Sequence, residues 1–157
     1  RILANRRSWK PGAEAPCVDE LLPTDRLHEL LGRSDVVVLA AAGTPETENL
    51  IDAAAFAAMK PGAIFVNVAR GNMVDEEALA DALRSGRLAA AATDVALEEP
   101  LPPTSPLWDV PNLFISPHSS ASQDRYFEMI YEIFLENLAA WVAGRPLRNL
   151  CDLEKGY

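Results

Sequence analysis

Cysteine and histidine are both scarce here. The 157 residues hold two of each, Cys17, Cys151, His28 and His118. Two isolated cysteines cannot build a disulfide framework or, by themselves, a zinc site. They suit a reducing, intracellular compartment, and no metal site is expected. Positive charge is also short: 14 Lys and Arg stand against 23 Asp and Glu, for a net charge of -9. An acidic chain offers little to a phosphate backbone, so no nucleic-acid partner is expected. Long apolar runs are missing as well. None is longer than Val36 to Ala42, far too short to span a bilayer, so no membrane role is expected. Residues 1–7 are polar at Arg1, Asn5, Arg6 and Arg7 and lack a methionine, so no signal peptide is expected there. The sequence is expected to begin within a longer, cytoplasmic protein. Finally, no Gly-x-Gly pair occurs anywhere, and 12 prolines outnumber 8 glycines.

What remains is ordinary globular material, 49% hydrophobic and 24% charged, long enough to bury a core. The apolar period alternates between strand and helix. Ile2-Leu3-Ala4 reads as the end of a strand, followed by a turn region containing Pro11-Gly12 and Pro16. Thr24 is placed to cap a helix reaching about Leu31, with Gly32 to terminate it. Val36 to Ala40 is continuous and β-branched, which predicts a strand buried on both faces. Asp52 caps a short helix through Met59, closed by Pro61-Gly62. Ala63 to Val68 is a second buried strand. Asp75 caps a helix through Arg84, closed by Gly86. Leu88 to Thr93 is a third strand, although alanine is a poor strand former. A proline-rich loop leads to a last strand, Leu113-Phe114-Ile115. Ser120 and Gln123 have capping-box spacing. Beyond them Tyr126, Phe127, Ile130, Ile133, Phe134, Leu138 and Trp141 recur at three- and four-residue steps. They predict one amphipathic helix from about Ser122 to Val142, read as a packing face.

This alternation predicts an α/β fold, a doubly wound parallel sheet of the dinucleotide-binding (Rossmann) type, incomplete at its N-terminus. Such sheets seat ligands outside the carboxyl ends of their strands. The residues there are suggestive. Ala69-Arg70-Gly71 follows one strand, Asp94 and Glu98-Glu99-Pro100 the next, and Ser116-Pro117-His118 the last. An arginine fork matches a carboxylate with two hydrogen bonds. Histidine is the usual acid/base near neutral pH. A carboxylate beside it favours the imidazolium and fixes the ring. Together they could hold a keto acid and protonate its oxygen. Taken singly, each also has a plain structural role: a solvated charge for Arg70, a loop cap for Asp94, a turn residue for His118. His28 falls within a helix and reads as surface.

The segments Val66-Asn67-Val68-Ala69-Arg70-Gly71, Thr93-Asp94-Val95, Glu99-Pro100-Leu101 and Ser116-Pro117-His118 resemble the D-isomer-specific 2-hydroxyacid dehydrogenases. Thr44-Pro45-Glu46-Thr47, Met59-Lys60-Pro61-Gly62, Gly86-Arg87-Leu88 and Ser105-Pro106-Leu107-Trp108 support it. The resemblance runs from about Asp35 to His118, and more loosely beyond. It implies that Arg70 binds the substrate carboxylate and that His118 is the proton donor or acceptor, with Glu99 as its partner. Asp94 would face the nicotinamide carboxamide. Val68, Ala69, Ser119 and Ser120 would line the cofactor alongside Arg70 and His118. The implied enzyme transfers a hydride between a nicotinamide cofactor and a small D-2-hydroxy or 2-keto acid such as glyoxylate or hydroxypyruvate. Gln replaces Glu99 in the formate-oxidising branch, which argues against formate; phosphite oxidation keeps the same three residues.

Departures from the family pattern carry expectations too. The family's Gly-x-Gly-x-x-Gly turn, which seats the pyrophosphate, should precede the first strand. This sequence is therefore expected to be the C-terminal part of a longer enzyme and to bind cofactor poorly alone. Residues 1–118 would finish the dinucleotide-binding domain, and residues 119–157 would form a helix crossing to the substrate domain and a return segment from Leu147 to Tyr157. Ala42 stands where the family usually has proline, and Ser119-Ser120 where it prefers a small apolar pair. Asn5-Arg6-Arg7-Ser8 carries no acid for the ribose hydroxyls of NAD, and its arginines suit the extra phosphate of NADP(H). NADP is therefore expected ahead of NAD, with Asn5, Arg6 and Arg7 as contacts. The family's habit implies a homodimer. The competing readings are a non-catalytic, dinucleotide-sensing corepressor-like protein and an inactive truncated remnant.

Overall fold

Side chains point alternately to the two faces of a strand, and in the main sheet one face is buried and the other open. In the computed structural model, which describes residues 1–7, 10–12 and 14–153, β1 (Leu3–Asn5) pairs with β2 (Glu20–Leu22) in a two-stranded parallel sheet. A separate four-stranded parallel sheet has the order β3-β4-β5-β6. Its strands are β3 (Val36–Leu39), β4 (Ala63–Asn67), β5 (Leu88–Thr93) and β6 (Leu113–Ile115). The register sets Leu39 beside Asn67 and Asn67 beside Thr93, so the strand ends carrying the candidate residues lie side by side. Strand β2 falls in what the sequence reads as a turn region. Three residues are too few for a period to show, and parallel pairing with β1 supplies its hydrogen bonds.

Three helices connect these strands: α1 (Leu27–Arg33), α2 (Ala53–Ala58) and α3 (Glu76–Arg84). They pack on one face of the four-stranded sheet. Leu31, Phe56, Leu79 and Leu83 from the helices meet Val37, Leu39, Phe65 and Ala91 from the strands in a single core. Phe56 and Phe65 meet edge to face at 5.4 Å between ring centroids. Burial on both faces does not hold for β3. Val37 and Leu39 are buried, whereas Val36 and Val38 are exposed with Ile64 and Phe114 on the opposite face. A parallel strand is apolar throughout only because helices normally cover both its faces.

Side-chain caps start α2 and α3. Asp52 accepts a hydrogen bond from the Ala55 N–H at 2.8 Å and Asp75 from the Ala78 N–H at 3.0 Å, as their positions predict. Thr24 does not cap α1. It opens a short 3-10 turn whose preceding residue is Pro23, and the α-helix begins at Leu27. Gly32 does not end α1 either; the helix runs through it to Arg33. A side chain there would come within 3.2 Å of the Ala58 carbonyl oxygen, so this glycine serves helix packing.

The chain forms two compact units, Arg1–Pro117 and His118–Tyr157. The second is built on α4 (Tyr126–Val142). Ser120 and Gln123 do not start this helix; its N-cap is Arg125, with no side-chain cap. The segment before it turns instead, with Ser122 N–H donating to the Ser119 carbonyl at 2.9 Å. Asn137 fixes the return segment, donating to the Arg148 carbonyl at 3.1 Å and accepting its N–H at 2.8 Å. The aromatic stripe expected as a packing face is open: Phe127 is 82% exposed and Trp141 72%. One helix and a short return segment have too little surface to cover such a stripe. Ser8 and residues 154–157, the end of the return segment, lie outside the described residues. No helix among the described residues is long and apolar enough to cross a membrane.

Candidate functional site

The carboxyl end of β4 is shaped by one buried amide. Asn67, the last strand residue, is 2% exposed. Its Oδ1 accepts the Ala69 N–H at 3.0 Å and its Nδ2 donates to the Arg70 carbonyl at 3.3 Å. The backbone therefore curls over the Asn67 side chain through Val68, Ala69 and Arg70. Val68 is exposed and Ala69 buried. Arg70 emerges to solvent, with Nη1 donating to the Ala69 carbonyl at 2.6 Å. Its stem lies against the loop after β3. A Cβ on Gly43 would stand 3.1 Å from the Arg70 Cγ.

The next strand end is tied to this one. Asp94 N–H donates to the Asn67 carbonyl at 3.0 Å. The Asp94 carboxylate is buried, 4% exposed, and accepts the Ser116 hydroxyl at 2.6 Å. The Thr93 hydroxyl donates to the Val95 carbonyl at 2.5 Å. Glu99 turns back on its own loop, with Oε1 accepting the Ala96 N–H at 2.9 Å. Gly71 is where the two loops meet. A Cβ there would lie 2.0 Å from the Ala96 carbonyl carbon and oxygen, so only glycine permits the contact.

His118, Ser119 and Ser120 open the second unit and are exposed. His118 has φ 53, in the left-handed region that non-glycine residues seldom adopt. At the end of β1, Asn5 Nδ2 donates to the Pro23 carbonyl at 2.6 Å, so part of its amide is spent holding the β2–α1 connection. Arg6 and Arg7 are exposed, and Arg7 stands 4.0 Å from the Glu46 carboxylate. That carboxyl is held below its ordinary range, chiefly by a hydrogen bond from Thr44. His28 is in α1 and exposed, as expected. Among the described residues no group of His, Cys, Asp and Glu could hold a metal.

Sequence reasoning missed Asn67, Ser116 and Gly43. A polar residue at the last position of an apolar strand was the available signal for Asn67. Ser116 and Gly43 act across the fold and left none. Arg87 was also missed as a structural residue. Its guanidinium donates to the carbonyls of Phe56, at 3.4 Å, and of Ala57 and Met59, closing the end of α2.

As a nucleotide site these residues fit one side of the ligand. The small residues Ala40 to Gly43 after β3 leave an open surface, and the Asp94 carboxylate is an acceptor suited to a carboxamide. The glycine-rich turn that would cradle a pyrophosphate is not among the 157 residues.

Residues 2–120 match the family described as D-isomer specific 2-hydroxyacid dehydrogenase, NAD binding domain. The glyoxylate reductase of Thermococcus onnurineus is 41% identical over 154 residues, covering 98% of this chain and 45% of that protein. A D-isomer specific 2-hydroxyacid dehydrogenase from Xanthobacter autotrophicus, solved with NADPH and MES, superposes with a TM-score of 0.86. It is 35% identical, and the match covers 99% of this chain and 62% of that one. The NADPH-dependent glyoxylate/hydroxypyruvate reductase of Sinorhizobium meliloti, solved with NADP and sulfate, also reaches 0.86. It is 30% identical, over 99% of this chain and 49% of the other. The chain spans about half the length of the curated relatives it matches.

Proposed function

We propose a function from one premise: the chain belongs to the D-isomer specific 2-hydroxyacid dehydrogenase family. It works as the C-terminal part of a longer cytoplasmic enzyme that reduces a small 2-keto acid to the D-2-hydroxy acid. Residues 1–118 contribute to the nucleotide-binding domain, and residues 119–157 cross toward and return to the substrate domain. The observation that carries this reading is the interlocking of the Arg70 and Asp94–Glu99 loops at the carboxyl ends of neighbouring parallel strands. That is where α/β sheets bind their ligands.

The roles follow from chemistry. Arg70, exposed on a loop fixed by Asn67, holds the substrate carboxylate with its planar fork. The nicotinamide, when bound, supplies the hydride. His118 gives its proton to the keto oxygen as the carbonyl is reduced and takes it back in the reverse direction. Glu99 supports the imidazolium by charge. Asp94 accepts a hydrogen bond from the carboxamide, while Val68, Ala69, Ser119 and Ser120 line the ring. The left-handed backbone of His118 supports its role, because such strain, on the order of 1 kcal/mol or more, concentrates at functional positions.

NADP(H) is the proposed cofactor, with Asn5, Arg6 and Arg7 at the adenosine end. The two NADP-bound relatives support this choice. A homodimer is the proposed assembly.

The full-length protein, given glyoxylate or hydroxypyruvate, should oxidise NADPH, followed by loss of reduced-nicotinamide absorbance. Absence of turnover with any 2-keto acid, together with binding of a short peptide, would replace this reading with a corepressor-like one.

A further inference from the structure

The loop that carries Glu99 is held by a residue outside it. Leu97 N–H donates to the Glu76 Oε1 at 2.7 Å, across 21 positions of sequence. Glu76 is the first residue of α3, directly after the cap Asp75. It is half-buried, whereas the adjacent Glu77 is exposed. One residue before Leu97, the Ala96 N–H donates to Glu99 itself, and the Ala96 carbonyl faces Gly71. Consecutive amides of one short loop are thus divided between two carboxylates. The Leu97 amide anchors the loop to α3, and the Ala96 amide orients the Glu99 side chain.

We propose that Glu76 is a positioning residue. By accepting the Leu97 N–H it fixes the 95–99 backbone, and through the Ala96 N–H it fixes the direction of the Glu99 carboxylate. The proposal rests on the reading of Glu99 as the acidic partner of His118. A charge-assisted bond to a backbone amide is strong enough for this task. Gly71 supplies the opposing contact: the loop is pressed against the Gly71 backbone on one side and tied to Glu76 on the other. Arg70 precedes Gly71 directly, so the same clamp sets the spacing between the guanidinium loop and the carboxylate loop. An acceptor is what the geometry requires, and Gln in place of Glu keeps one.

The test uses the full-length protein with three variants, E76A, E76Q and E77A. In E76A, Leu97 and Ala96 amide hydrogens should exchange at least about tenfold faster. The keto-acid kcat should fall about tenfold, with the KM for NADPH unchanged, as expected when a supporting contact is lost away from the chemistry. E76Q should restore both properties, and E77A should match wild type, which separates the contact from charge at the α3 N-terminus. Unchanged exchange at Leu97 in E76A would overturn the proposal. So would failure of E76Q to restore it, or faster exchange with an unaltered kcat. If wild type reduces no 2-keto acid, the functional reading falls, and the exchange measurement alone then decides whether Glu76 holds the loop.

Discussion

Gly71 shows how little room the site leaves at the residue scale. Its backbone angles lie outside the left-handed region, so conformational freedom is not what it provides; a Cβ simply has nowhere to go. Gly71→Ala is expected to push the Ala96 carbonyl away and to cost about 1–3 kcal/mol of stability, read as a lower denaturant midpoint. Arg70 makes a different demand. Arg70→Lys keeps the charge but loses the planar fork, so the KM for the keto acid should rise about tenfold or more while the KM for NADPH holds. An unchanged KM for the keto acid would mean that Arg70 does not touch the substrate.

At the scale of the elements, the ends of α2 and α3 depend on single side chains. Asp75→Ala removes the bond to the Ala78 N–H and should lower stability by about 1 kcal/mol. Arg87→Ala frees the carbonyls at the end of α2 and should cost about 1–3 kcal/mol, because a charged donor is lost. Both effects are readable as falls in melting temperature. At the junction of β2 and α1, Arg33 bonds Glu20 at 2.5 Å and Glu29 at 2.9 Å. The Arg33 hydrogen bond holds the Glu20 carboxyl below its ordinary value of 4.5. A carboxyl lowered on folding contributes its stability above its unfolded pKa and loses it as pH falls through the folded one. Acid unfolding should therefore begin to draw on this pair below about pH 4.5. Glu20→Gln should flatten the pH dependence there, and a side-chain NMR titration should place the Glu20 midpoint below that of an exposed glutamate.

For the whole molecule, cofactor choice is the property most exposed to test. Arg6 and Arg7 stand at the end of a two-stranded sheet separate from the sheet that carries Arg70. Replacing both by alanine should weaken NADPH binding at least tenfold and leave NADH binding within about twofold, measured by titration of the full-length protein. Equal losses for both cofactors would remove these arginines from the phosphate site. The bare sheet face and the open aromatic stripe of α4 belong to this scale too. Val36, Val38, Ile64 and Phe114 on that face and Phe127 and Trp141 on that stripe are exposed.

Much of the architecture was legible because it is written locally. The caps Asp52 and Asp75 sit three residues from the amides they accept. The strands β3 to β6 are short apolar runs between turn residues, and Arg70, Glu99 and His118 follow strands in an order a reader can count. The sequence by itself determined the strands β3 to β6, the starts of α2 and α3, and which chemistry stands after each strand, but not β2 or the starts of α1 and α4. Only the tertiary structure decided how tightly those ends are joined: Gly71 against Ala96, Ser116 on Asp94, and Arg87 on the end of α2. It also decided that β3 buries one face and that α1 runs on through Gly32. The physical reason is range. A cap or a period acts within one turn of chain, whereas packing and long-range hydrogen bonds depend on which distant backbone arrives opposite, and no local pattern encodes that.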